Sequence, residues 1–112
     1  MINSIFDRNY TKIIYITNNK YSKNLTIDII RKWKNENCKV ELQIFDLENN
    51  TISNFIDSNT IKQRKDNNYI MDIIDKFSVC SYPAFLILKD IQLIESIYGS
   101  YDNILDILNI YF

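Results

Sequence analysis

Residues 77–108 read FSVCSYPAFLILKDIQLIESIYGSYDNILDIL, and the periodicity changes three times within them. Before this stretch, Ile70, Ile73, Ile74 and Phe77 recur at i, i+3, i+4 and i+7, which predicts a helix capped by Asn68 and ending at Phe77. After the single proline, Pro83, the apolar run Ala84 to Lys89 predicts a strand. Asp90-Ile91 predicts a turn and Gln92 to Tyr98 a second strand, so the pair forms an antiparallel hairpin. Gly99, the only glycine, breaks that strand. Ser100 or Asp102 then caps a last helix with Ile104, Leu105, Leu108 and Phe112 on one side.

Working back toward the amino terminus, KIIYIT (Lys12 to Thr17) has the β-branched, apolar character of a strand covered on both faces. Leu25, Ile29 and Trp33 follow at four-residue steps, with Ser22 or Asn24 as N-cap, and predict a helix to about Glu36. Val40 to Leu47 predicts the next strand, which completes a right-handed βαβ unit. The polar stretch TISNFIDSNTIKQRKDNN predicts a short helix capped by Thr51 and carrying Ile52, Phe55 and Ile56, then an exposed connection from Ile61 to Asn68. The predicted order is β-α-β-α-α-β-β-α, in one domain spanning residues 1–112.

That order, with a proline opening a carboxyl-terminal hairpin and a glycine before the last helix, resembles the thioredoxin-like superfamily. The resemblance implies a thioredoxin-like α/β fold, with a central mixed sheet, helices on both faces and residues 51–67 as an insertion. It also implies a cis Tyr82-Pro83 bond, a rare conformation among X-Pro bonds. In such proteins the residue before the cis-proline offers its backbone to an extended peptide or to glutathione. The same alignment puts the family's redox Cys-x-x-Cys on Tyr21, Ser22, Lys23 and Asn24, where neither cysteine is present. Tyr15 stands where the family carries a buried acid. A tyrosine with an ordinary pKa of about 10 cannot replace an attacking thiolate, so dithiol exchange is not expected.

Two readings of function follow. In the first, the domain is a redox-inactive binding, adaptor or assembly-factor module. It holds a segment of another protein at the degenerate loop (Tyr21, Ser22, Lys23, Asn24) and the cis-proline loop (Cys80, Ser81, Tyr82, Pro83), with the two tyrosines giving rigid contact area with polar tips. In the second, Cys80 acts alone as a redox thiol; no histidine is present to activate it. The first reading is preferred, and no dithiol oxidoreductase activity is expected of it. Glutathione binding is disfavoured, because the all-helical second domain of glutathione transferases is missing.

Composition narrows the classes. Thirteen basic and fourteen acidic residues give a net charge of -1, which offers no electrostatic case for nucleic acid or an anionic membrane as partner. With no histidine, and with Cys38 and Cys80 too far apart for a ligand pair, no metal and no other cofactor is expected. Ile, Asn, Lys and Tyr, all with A/T-rich codons, make up about half the chain, so its many asparagines reflect a low-GC genome rather than a prion-like tract. MINSIFDRNY has no basic start followed by an apolar run, so no secretory signal is expected in it, and no apolar stretch is long enough to span a bilayer. A reducing, cytoplasm-like compartment is the expectation.

Overall fold

The computed structural model describes residues 12–18, 23–35, 41–57, 60–90 and 92–99. Over these, the element order is β1 (Lys12–Thr17), α1 (Lys23–Asn35), β2 (Glu41–Asp46), β3 (Thr51–Asp57), β4 (Thr60–Lys65), α2 (Asn67–Lys76), β5 (Ala84–Lys89) and β6 (Gln92–Tyr98). The six strands form one mixed sheet in the order β4-β3-β2-β1-β5-β6. This corrects the predicted thioredoxin-like fold. A six-stranded sheet with two described helices, running β-α-β-β-β-α-β-β, is not that topology.

The correction is concentrated in residues 51–68. The predicted helix at Thr51 is strand β3, and most of the predicted exposed connection is strand β4, paired antiparallel with it across a register shift between Phe55 and Asp57. Two features turn β2 into β3. The Asp46 carboxylate accepts hydrogen bonds from the Glu48 backbone N–H (3.0 Å) and the Asn49 side-chain amide (2.9 Å). Asn50 then takes a φ of 55°, a left-handed conformation that asparagine tolerates better than most residues. The β3 side chains alternate between the sheet's faces, so Ile52 is buried on one and Phe55 on the other.

The rest of the frame follows the hydrophobic periods. β1 and β2 are parallel, joined through α1, while β5 runs antiparallel to β1 and pairs with β6 in a hairpin. The Tyr82-Pro83 bond is cis. The sheet separates two cores. Leu25, Ile29 and Trp33 of α1 pack on Ile13, Tyr15, Leu42 and Phe85; Ile70 and Ile74 of α2 pack on Ile14, Ile16, Phe45 and Leu86 on the opposite face. Because β1 and β5 lie inside the sheet, five consecutive residues of each are buried, which is why both read as near-continuous apolar segments.

Helix α2 is capped by Asp66, whose Oδ1 accepts the Tyr69 backbone N–H at 3.0 Å, and not by Asn68, which lies inside the helix. Gly99 has a φ of 144°, a region closed to residues with a Cβ, and it ends β6 as predicted. The predicted last helix, from Ser100 or Asp102 to Phe112, lies outside the described residues, as do Tyr21, Ser22 and Cys38. No helix among the described residues is long and apolar enough to cross a membrane.

Candidate functional site

The strand registers bring the informative residues to one end of the sheet. Thr17 ends β1 beside Asp46 at the end of β2, and Asp46 lies opposite Thr51 at the start of β3, which in turn faces Lys65 at the end of β4. On the other side, Ala84 at the start of β5 pairs with Ile16 of β1 and with Tyr98 at the end of β6. Helix α1 leaves β1 from this same end. The carboxyl ends of the parallel pair, the first turn of α1 and the Cys80–Pro83 loop therefore share one rim, the location where open α/β sheets take up ligands.

Of residues 21–24, Lys23 is the first residue of α1 and Asn24 is exposed in its first turn. Tyr21 and Ser22 are not among the described residues. In the second loop Cys80 is an exposed free thiol, Ser81 is exposed, and Pro83 is half-buried where the chain enters β5. Tyr82 is a large side chain left 39% exposed. Its phenol pKa is raised above the usual 10.0, first by partial burial and then by charge on Cys80 and on Tyr98. Tyr15 is fully buried. Its ring tilts against Phe85 with centroids 5.4 Å apart, and its hydroxyl accepts a hydrogen bond from the Thr26 hydroxyl at 3.2 Å.

A second feature of the rim is absent from the sequence reading. On the α1 side, between the helix and the β3–β4 hairpin, a cleft of about 390 Å³ opens. Its floor is Ile30, Ile44 and Phe55; polar groups on its walls include Asp46, Ser53, Gln63 and Lys65. These come from helix and strands scattered over 36 positions of sequence, and only the strand order unites them. The available signal was the alternation Thr51, Ser53, Phe55, which puts two hydroxyls and an aromatic ring on one face once the segment is known to be a strand.

No group of three His, Cys, Asp or Glu among the described residues is placed to hold a metal ion. Compared with models of protein families, with curated proteins and with solved structures, the chain gives no match.

Proposed function

We propose that this domain is a protein-binding module, without dithiol chemistry of its own, that holds an extended segment of another protein at the rim formed by the first turn of α1 and the Cys80–Pro83 loop. The observation that carries this reading is Tyr82, a large amphipathic side chain exposed where the chain enters a central strand. A tyrosine gives broad, rigid contact area with few rotamers to freeze, and its hydroxyl keeps a polar partner. A segment laid beside the residues leading into β5 would add main-chain hydrogen bonds in the manner of strand addition. Asn24 supplies a further contact, and Tyr21, which lies outside the described residues, belongs to the proposed surface by its place in the sequence. The proposed setting is a reducing, cytoplasm-like compartment.

The test is affinity capture from the native cell with the intact chain and with the Tyr21→Ala/Tyr82→Ala double variant. Selective loss of a bound protein in the variant, at unchanged circular dichroism, supports the reading; unchanged recovery overturns it. Cys80→Ser separates the second reading, since a thiol-dependent function would be lost in that variant while the proposed binding is retained. Turnover in an insulin-reduction assay would likewise count against a module without redox chemistry.

A further inference from the structure

We infer that the cleft between α1 and the β3–β4 hairpin is a binding site for a small zwitterion of amino-acid to dipeptide length, with its ammonium toward Asp46 and its carboxylate toward Lys65. The two charges lie on one rung of the sheet, Asp46–Thr51–Lys65, two strands apart. At the usual strand spacing that is a separation of roughly 10 Å between backbones. Both side chains line the cleft. The Lys65 ammonium forms no ion pair among the described residues, so its charge is open to a ligand. The Asp46 carboxylate is fixed by its two turn hydrogen bonds, and each oxygen keeps acceptor capacity.

The middle of the rung is neutral and polar. Thr51 donates its hydroxyl to the Asn49 carbonyl at 3.2 Å. Gln63 donates its amide to Ser53 Oγ at 3.1 Å, which leaves the Ser53 hydroxyl as a donor and the Gln63 carbonyl as an acceptor for a ligand amide. Ile30, Ile44 and Phe55 close the floor, so water is excluded from one side of the site. One carboxylate and one ammonium at opposite ends match neither a simple anion nor a neutral sugar. The volume is in the range of small-molecule sites, and an extended dipeptide spans roughly 7 Å between its termini. The inference is independent of the role given to Tyr82, and each can fail while the other stands.

The test is a ¹H–¹⁵N NMR titration of the full chain with glycylglycine, N-acetyl-glycylglycine, glycylglycinamide, glucose and inorganic phosphate. Glycylglycine is expected to shift the Thr51, Ser53 and Gln63 amides saturably in the millimolar range, with each blocked form about tenfold weaker, as fits the loss of one charge-assisted contact. Asp46→Asn, which keeps an acceptor for the Glu48 N–H, and Lys65→Met should each weaken glycylglycine by a similar factor while amide dispersion is retained. The inference is overturned by the absence of saturable shifts, by equal binding of the blocked forms, by unchanged affinity in both variants, or by a response confined to glucose or phosphate.

Discussion

The indole of Trp33 meets the ring of Phe55 edge to face, with centroids 5.9 Å apart and planes at 63°. Trp33 lies near the end of α1 and Phe55 on β3, so this contact ties the helix of the βαβ unit to the hairpin beyond it. Both side chains are buried, at 1% and 4% exposure, so β3 belongs to the core and is not an appendage. Trp33→Ala or Phe55→Ala is expected to cost about 3–5 kcal/mol, the usual range for deleting a buried aromatic side chain. Guanidinium denaturation checks this. The double variant should cost less than the sum, because the two rings share one contact.

Asp66 supports α2 through its N-cap bond to Tyr69 and makes an ion pair with Arg64 at 3.6 Å. The ion pair is largely solvated and contributes little. The cap dominates. Asp66→Ala should therefore lose about 1 kcal/mol, while Asp66→Asn, which can still accept from the Tyr69 N–H, should lose a few tenths. Equal losses in urea denaturation would assign the effect to the charge instead.

Gln43 on β2 is a buried amide, 4% exposed. Its Nε2 donates to Asn54 Oδ1 at 3.2 Å, and Asn54 passes the chain on to Glu41 Oε2 at 2.9 Å. Its Oε1 has no hydrogen-bond partner among the described residues. Replacing it by a side chain of like volume removes one bond and also one unsatisfied acceptor, so Gln43→Met should stay within about 1 kcal/mol of wild type. A loss well above about 2 kcal/mol in the same denaturation assay would show that Oε1 is bonded in solution.

The frame that could be read from sequence is the part where burial imposes a period. KIIYIT and AFLILK sit in the centre of the sheet, covered on both faces, and the four-residue steps of Leu25, Ile29 and Trp33 follow one helix stripe. The hairpin at 51–65 lacked that signal. Ile52 and Phe55, three apart, imitate a helix stripe, yet as strand residues they enter opposite cores. Strand β4 is an edge whose side chains from Ile61 to Lys65 are all exposed, so backbone pairing with β3 fixes it and no apolar alternation betrays it. Its lysines and arginine, read as loop polarity, are the charges that protect such an edge. The start of β5 was marked by Pro83, directly before Ala84. The cleft could not be, because Asp46 and Lys65 become neighbours only through the strand order.

Tyr82 gives the pH-dependent prediction. Its phenol pKa lies above the usual 10.0, chiefly because partial burial penalises the phenolate, with charge on Cys80 second and on Tyr98 third. A raised folded-state pKa means that the folded chain holds this proton more tightly than the unfolded chain. The linked stability is fully present below about pH 10 and is lost as pH rises from there through the folded pKa. Following the Tyr82 ring carbon by ¹³C NMR, with Tyr82→Phe to assign the signal, should place its midpoint above that of free tyrosine. In Cys80→Ser the midpoint should move down, because one like charge is gone, yet stay above the free value, because the burial remains. An unmoved midpoint in Cys80→Ser would mean that the thiol is turned away from the phenol in solution; a midpoint at the free value in the wild type would mean that the ring is more solvated than the structure places it.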